Sequence, residues 1–491
     1  DKRQRGNDDP NLSEETLRGG EQSKKYIFKR DEDVKISNYR ICDVEHFSFI
    51  EGLLIKENKG SYKSIVAPIT VRPLPIKKTV VNKIKELAPI FNKLTDRAAR
   101  DREFMEKHIH QVAKADPFTG RLVEIYKKVL ESGHEQQTYV GIHRSDYMFH
   151  GKEMVPQQVE LNTIAAGYGA LSTNAGRIHQ TLMEAYEYTP QDKIMISEGI
   201  TRVPYAMEKA HEAHGKGEVI IFLVQDQERN FGDQYFLQLQ LMKKGIKVMR
   251  MTLDDMHTKA TLNEDNDLVV TYNDKPCIVS FVYYRAAYTP DDYQKESDWE
   301  ARLKIEMSSA IKCPPVAYQL IGTKYMQQIF TRPNVLERFL DPEEVKLVRS
   351  VFTGIYSLEN KEIVQKVINT PQDYVMKPQR EGGGNLIYGD KMKSMLQNLE
   401  EHPEHKDAYI LMERIVPVPQ QATIYAFGKS ETSPCVSELG TYCTFVGNGN
   451  DEPLVNEYAG YLLRTKDARK EDGGVASGVA AFNSIYLVDD E

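Results

Sequence analysis

The 491-residue chain has no stretch approaching 18 uninterrupted apolar residues, so it holds no candidate for a membrane-spanning helix. Cysteine is scarce: Cys42, Cys277, Cys313, Cys435 and Cys443 are the only five, and no two form a CxxC pair. An odd, sparse set in a long chain implies reduced thiols in a cytosolic compartment rather than a disulfide framework. Cys277 and Cys313 sit in apolar contexts that read as core. The twelve histidines show neither HExxH nor finger spacing, and the pair His108 and His110 reads as a helix surface rather than a zinc site. Excess positive charge is missing too. A formal net charge of -8 gives no electrostatic basis for nucleic-acid binding as the main task, although a local basic pocket for a small anion remains compatible with it. No Ser/His/Asp set or cysteine nucleophile stands out, which favours chemistry by positioning and electrostatics over covalent enzyme intermediates.

What is present is the composition of a soluble globular protein, with 40% hydrophobic and 28% charged residues and length for two or three domains. The first 25 residues are charged and almost without apolar positions, which reads as a disordered or loosely attached tail. The tail is too acidic for a transit peptide and lacks the apolar core of a signal peptide. Its first residue is not Met, which points to a start upstream.

Val80, Ile84, Leu87, Phe91 and Leu94 share one helical face, with Pro89 as a kink. A second helix follows Asp116 as cap and Pro117 in the first turn; it buries Leu122, Ile125, Val129 and Leu130 and closes at Gly133. QTYVGIHR (137–144) and VPQQVELN (155–162) read as strands. From 218 to 288 the pattern is β-loop-α-β: EVIIFLVQ, a helix from about Asp233 to Lys244 capped by Gly245, then IKVMRMT and CIVSFVYY. This predicts a small parallel sheet with helices on its faces. Ligands collect at the carboxyl ends of such strands, which places Glu228, Asn230, Gln234, Arg285 and Tyr288 on one rim. The stretch 372–430 reads as a separate, mostly antiparallel unit of four strand-like segments and a helix near 390–400.

Within that unit, KPQREGGGN puts three glycines at a hairpin position beside Lys377 and Glu381. The loop is neither a P-loop nor a dinucleotide fingerprint. Its glycines let backbone N–H groups approach an anion without side-chain clash. EDGGVASGVAAF (471–482) is a second glycine-rich segment, and two such loops near Lys or Arg fit a polyphosphate. Glu160 and Asn162 alternate onto one face of a strand. With Glu381 they form an oxygen-only set suited to Mg²⁺; a solvated strand face is the alternative. Lys324 and Lys377 can neutralise phosphate, while Glu413 and Glu438 follow apolar strand-like runs. Arg144, Arg285 and Arg464 end strand-like runs, where guanidinium groups suit a substrate with more than one carboxylate or else ordinary salt bridges.

HRSDYMF (143–149), VELNTI (159–164), ERN with DQ (228–234), DWEARL (298–303), LIGTK (320–324), KPQREGGGN (377–385), SELG (437–440) and LLRTK (462–466) occur in that order. With them the chain resembles eukaryotic-type glutathione synthetases from about residue 65 to about 486. The resemblance implies an α/β (α+β) ATP-grasp fold with a glycine-rich antiparallel lid and an inserted parallel-sheet substrate-binding domain, in a cytoplasmic homodimer. Its expected parts are a flexible extension (1–44), a main body (45–217 and 431–491), the substrate-binding domain (218–320), a helical connection (321–371) and the lid (372–430). The implied reaction joins γ-glutamylcysteine to glycine with ATP and two Mg²⁺ ions, through an acyl phosphate.

Residue by residue, the resemblance implies Mg²⁺ ligation by Glu160, Asn162 and Glu381. It implies ATP contacts by Glu160, Lys324, Lys377, Glu381, Gly382, Gly383, Gly384, Asn385, Tyr388, Met412, Glu413, Ile415, Glu438, Lys466 and Asp472. Substrate contacts fall to Arg144, Glu228, Arg229, Asn230, Gln234, Arg285, Tyr288, Arg464, Val475 and Ala476. Arg464, Lys377 and Arg144 are the expected catalytic groups, with Arg464 neutralising developing charge. The chain departs from the family pattern in three places. Ala165, Ala166 and Gly167 stand where serines that touch γ-glutamylcysteine are usual, Leu386 replaces an Asn, and Ser477 replaces an Ala. The last departure keeps alanine or serine open as the acceptor in place of glycine, and an inactive nucleotide-binding regulator is the alternative of a different class.

Overall fold

A seven-stranded sheet runs in the order Gln420–Ala426, Ile69–Thr70, Ala480–Asn483, Val455–Asp467, Lys429–Gly447, Tyr139–His150, Val155–Asn162. The computed structural model describes residues 38–133, 136–186, 193–379, 386–399, 401–402, 405–450, 452–470, 473–475 and 477–490. The expected N-terminal tail and the glycine triplet therefore lie outside the described residues. The long strands of this sheet pair antiparallel. Alternation along them feeds two cores. Tyr461 and Leu463 face Leu87, Phe91 and Leu94 of the helix Lys78–Arg100, whereas Leu462 and Tyr442 face Leu171, Ala175 and Ile178 of the helix Gly169–Tyr186. The sheet is thus covered on both faces, and its central residues are almost all buried.

The helix expected at 80–94 continues unbroken through Pro89 to Arg100. The second expected helix spans Pro117–Ser132, with the Asp116 side chain accepting from the N–H groups of Phe118 and Thr119 and Gly133 in the left-handed conformation. His108 departs from the surface reading: it is buried against Phe104, 4.8 Å between ring centroids, while His110 is exposed. The apolar residues Phe104, Met105 and Ile109 turn that part of its helix inward.

A second sheet contains the parallel strands Lys247–Met251, Val219–Leu223, Lys275–Tyr284 and Ile311–Cys313. Two strands, Leu268–Tyr272 and Thr261–Leu262, extend it antiparallel. The helix between the first pair spans Phe231–Lys243; Lys244 is its C-cap residue, and Gly245 behind it takes the positive φ. Cys277 and Cys313 are buried, as their contexts indicate.

A three-stranded antiparallel sheet comprises Ile355–Ser357, Tyr409–Glu413 and Tyr374–Pro378. It differs from the unit read at 372–430. The segment ATIYAFG pairs with Lys429–Gly447 and Ile69–Thr70 in the large sheet. NLIYG contributes only a single bridge, Met376 to Ile387, before the helix Gly389–Gln397. Strand-like composition marks such segments, but the partner that captures each is distant in sequence.

Candidate active site

Strands Tyr139–His150 and Val155–Asn162 pair in a register that sets Arg144 opposite Asn162 and Asp146 opposite Glu160. Period-two alternation turns both members of each strand pair to one face. On the neighbouring pair of strands Glu438 lies opposite Arg464. Arg144, Glu160, Asn162, Glu438 and Arg464 line a cleft of about 1820 Å³ that also receives Lys324 from the start of the helix Lys324–Thr331 and Lys377 from the small sheet, with Asp146 buried beneath it.

The charges are matched locally. Arg144 donates from Nε and Nη2 to the two carboxylate oxygens of Asp146, at 2.6 and 2.8 Å. Burial works against the charge on Arg144, but Asp146 overrides it and holds the guanidinium proton well above its ordinary affinity. Lys324 Nζ donates to Glu160 at 2.7 Å. Burial would raise the Glu160 carboxyl, yet Lys324 and then Lys377 hold it far below the usual carboxylate range. Arg464 pairs with Glu438, whose own carboxyl is pushed up by burial.

At the carboxyl ends of the parallel strands, Glu228, Arg229, Asn230, Arg285 and Tyr288 line the same cleft. Glu228 accepts from the Asn230 backbone and from Gln234 Nε2, both at 2.7 Å. Gln234 therefore supports Glu228 from behind and does not line the cleft. Arg229 directs its guanidinium to the carbonyls of Lys56 and Glu57, at 3.1 and 2.8 Å. Among the described residues, Arg285 Nε and Asn230 Oδ1 are buried without a hydrogen-bond partner.

Between the two groups runs the segment 165–168. Arg285 donates to the Ala165 carbonyl, and Arg144 and the Tyr442 hydroxyl donate to that of Gly167. Ala165 and Tyr168 adopt φ of +53° and +76°, the strained left-handed region. Asp233, fully enclosed, accepts the Tyr168 and Ala170 N–H groups at 2.8 Å each and so pins the segment. A Cβ on Gly167 would stand 2.5 Å from Arg285 Nη2 and 3.0 Å from Asn230 Nδ2. A side chain there would have to displace the ends of Arg285 and Asn230.

The small sheet supplies an apolar wall: Met412 and Ile415 pack with Val375, Val159, Leu386 and Tyr388. Glu413, beside them, accepts from the Tyr356 hydroxyl at 2.9 Å. Lys466 also lines the cleft. Glu381, Gly382, Gly383, Gly384, Asn385, Asp472 and Ala476 lie outside the described residues. Val475 is fully buried in the core and does not line the cleft. Ser477 is exposed and donates to the Gly474 carbonyl at 2.8 Å.

The donor chemistry fits a hard cation. Glu160 and Asn162 offer oxygen from one strand face inside the cleft, and a small ion that keeps waters and phosphate ligands needs few protein groups. Among the described residues no cluster of three or more His, Cys, Asp or Glu side chains forms a metal site by itself. Sequence reasoning passed over Asp146 and Asp233. Asp146 had a usable signal, since it stands two residues from Arg144 on a strand.

Residues 37–487 match the family model described as eukaryotic glutathione synthase, ATP binding domain. The chain is 37% identical to the chloroplastic glutathione synthetase of Solanum lycopersicum over 95% of this chain and 87% of that protein. It is 36% identical to the glutathione synthetase of Xenopus laevis (90% and 95%) and 35% identical to that of Homo sapiens (89% and 94%). Among solved structures, the apo form of a glutathione synthetase-like effector from Globodera pallida superposes with a TM-score of 0.76 at 19% identity, covering 94% of this chain and 100% of that one. That likeness is one of fold.

Proposed function

The chain belongs to the eukaryotic glutathione synthase family, and on that premise we propose how its cleft divides the work. Its reaction is ATP-dependent glutathione synthesis, a ligase reaction with ATP as co-substrate. Relatives named glutathione synthetase in plants and vertebrates favour glycine as the acceptor and an active enzyme over a regulator.

In this reading the purine lies against the apolar wall of Met412, Ile415 and Tyr388, which Leu386 extends. Glu413 and Glu438 flank the nucleotide. Lys324, Lys377 and Lys466, with the loop Glu381 to Asn385 and Asp472, hold the phosphates. Glu160, Asn162 and Glu381 hold Mg²⁺, two ions per site, which neutralises charge on the phosphates when bound.

Arg144 and Arg285 grip the carboxylates of γ-glutamylcysteine, and Glu228 receives its ammonium group, with Asn230 and Tyr288 beside it. An oxygen of the cysteinyl carboxylate attacks the γ-phosphorus of ATP, the bond to the β-phosphate oxygen breaks, and ADP leaves. The glycine amine then attacks the acyl carbon, the bond to the phosphoryl oxygen breaks, phosphate leaves, and the amine proton passes to solvent. Lys377 and Arg464 neutralise charge on the transferring group. Glycine enters beside Gly473 and Gly474, which line the cleft.

One observation carries this reading: carboxylate and amide oxygens, lysines and arginines from six separate chain segments converge on one cleft. Labelling the cysteinyl carboxylate with ¹⁸O tests the intermediate. The label should appear in the released phosphate, and unlabelled phosphate would refute the acyl-phosphate route.

We also propose a homodimer. Tyr235, Leu239 and Met242 are exposed at i, i+4 and i+7 of one helix, an apolar face suited to a second copy; light scattering giving a monomer mass would reject it. The assignments of 45–217 and 431–491 to the main body, 218–320 to the substrate domain and 372–430 to the lid, less the strand Gln420–Ala426 that pairs in the large sheet, stand as part of this proposal. So does a cytoplasmic location, supported by five free cysteines.

A further inference from the structure

Asp146 lies under the cleft with no exposed surface, and no step described above uses it. Its partners are residues that the reaction needs. Arg144 docks on it with two parallel hydrogen bonds of 2.6 and 2.8 Å. Asn162 Nδ2 donates to Asp146 Oδ2 at 3.0 Å, and Arg464 Nη2 lies 3.5 Å from the same oxygen.

The Asn162 contact has a chemical consequence. A side-chain amide presents two N–H donors and one carbonyl acceptor. Nδ2 of Asn162 donates both to Asp146 and to the Arg144 carbonyl, the latter at 3.3 Å. With the amine end held this way, Oδ1, the only atom of the amide that can ligate a cation, is left to the cleft. A carboxylate at 146 accepts from every side, so it cannot tolerate the opposite orientation of Asn162.

A separate feature of the sheet maintains this arrangement. Gly440 pairs with Asp146 on the adjacent strand. A Cβ at 440 would stand 2.5 Å from Asp146 Oδ1 and 2.7 Å from Arg144 Cδ. The sheet thus leaves out a side chain where the Arg144–Asp146 pair sits.

We propose that Asp146 is a positioning residue that fixes the amide orientation of Asn162 for the metal and the guanidinium of Arg144 for the dipeptide. One buried carboxylate thereby couples the two binding sites. The inference rests on the proposed ligand role of Asn162.

The test measures Mn²⁺ binding by electron paramagnetic resonance with a non-hydrolysable ATP analogue, and γ-glutamylcysteine binding by calorimetry, on folded protein. Asn at 146 has one acceptor and one amine. Asp146 takes Arg144 Nε on Oδ1, and Arg144 Nη2 and Asn162 Nδ2 on Oδ2, so a single amide oxygen cannot serve all three. An amine in the Oδ2 place turns Asn162 over, with its own amine at the cation, and one in the Oδ1 place drives off the Arg144 guanidinium. Asp146→Asn should therefore weaken Mn²⁺ about 10–100-fold, the scale for losing an outer-shell partner, or weaken the dipeptide, or both. Asn162→Ala should weaken Mn²⁺ and spare the dipeptide. In the double variant Asp146→Asn, Asn162→Asp, the carboxylate at 162 accepts from the amide at 146 and still turns an oxygen to the cleft. Mn²⁺ affinity should then return to within a few fold of the parent.

If Asn162→Ala leaves Mn²⁺ binding unchanged, the metal assignment itself fails. If it loses Mn²⁺ while Asp146→Asn keeps both Mn²⁺ and the dipeptide, or if Asp146→Asn loses Mn²⁺ and the double variant restores nothing, the positioning role alone is overturned. Should Asp146→Asn not fold, a crystal structure of the parent with Mn²⁺ and the analogue decides. Asn162 Nδ2 on Asp146 with Oδ1 on the metal supports the role. Nδ2 turned away, or Asp146 itself on the metal, overturns it.

Discussion

Lys324 and Glu160, 164 positions apart in sequence, meet at 2.7 Å inside the cleft. The ammonium assigned to phosphate and the carboxylate assigned to the metal neutralise one another, with side-chain exposures of 7% and 26%. Arg144 with Asp146 and Arg464 with Glu438 repeat the pattern. Breaking one partner of such a pair leaves a charge that burial penalises. On the proposed roles, substrate and metal would enter by exchanging partners rather than by filling vacant charge.

Glu160→Gln keeps the shape and removes the charge. We expect the Mg²⁺ concentration for half-maximal turnover to rise roughly tenfold or more, on the scale of disturbed metal sites, while metal-free nucleotide binding holds or tightens because Lys324 is released. A titration of rate against Mg²⁺ checks it, and an unchanged midpoint would count against Glu160 as a ligand.

Lys377→Ala should lower kcat by about 10²–10³-fold, as for loss of one preorganised charge donor, with an unaltered melting temperature. Near-normal turnover would remove Lys377 from the site.

Gly167→Ser supplies a hydroxyl of the kind usual in the family here, yet its Cβ would press on Arg285 and Asn230. Overpacking costs about 1–3 kcal/mol, so KM for γ-glutamylcysteine should rise roughly 5–150-fold with KM for ATP unchanged. Tighter dipeptide binding would contradict the packing argument.

Burial pushes His143 down to about 3 and His179 to about 4, the latter against a hydrogen bond to the Thr70 carbonyl. Both are fully enclosed and stay neutral in the folded state, whereas the unfolded chain protonates them near 6.5. The unfolded state thus binds more protons below that value. Their contribution is complete above pH 6.5 and is lost as pH falls towards 4 and 3, by up to about 1.4 kcal/mol per pH unit for each. Urea midpoints should fall between pH 7 and pH 5, less steeply in His143→Gln. A flat profile in the parent would refute this.

Local chemistry was readable where local interactions decide. Asp116 and Gly133 bound their helix because cap and left-handed turn are set by neighbours in sequence. The parallel strands near 219, 247 and 279 announced themselves as apolar runs. Partners far apart in the chain did not. Nothing within Gln420–Ala426 says that it pairs with Ile69–Thr70, and the burial of His108 depends on Phe330 and Phe339 side chains that pack on Phe104 beside it. In the site, Arg285 was legible as a cation at a strand end, whereas Arg144, read as ending a strand at 144, stands in the middle of one that continues to His150. Asp233 was not, because its task is to hold the backbone of a segment 62–65 positions away.

The most direct test is ADP release by the purified protein with Mg-ATP, leaving out each component in turn and identifying the product by mass. γ-Glutamylcysteine would be paired with glycine, alanine or serine. We predict release that needs both substrates and is fastest with glycine, yielding glutathione. Release favouring alanine or serine, or none despite bound ATP, would contradict that assignment.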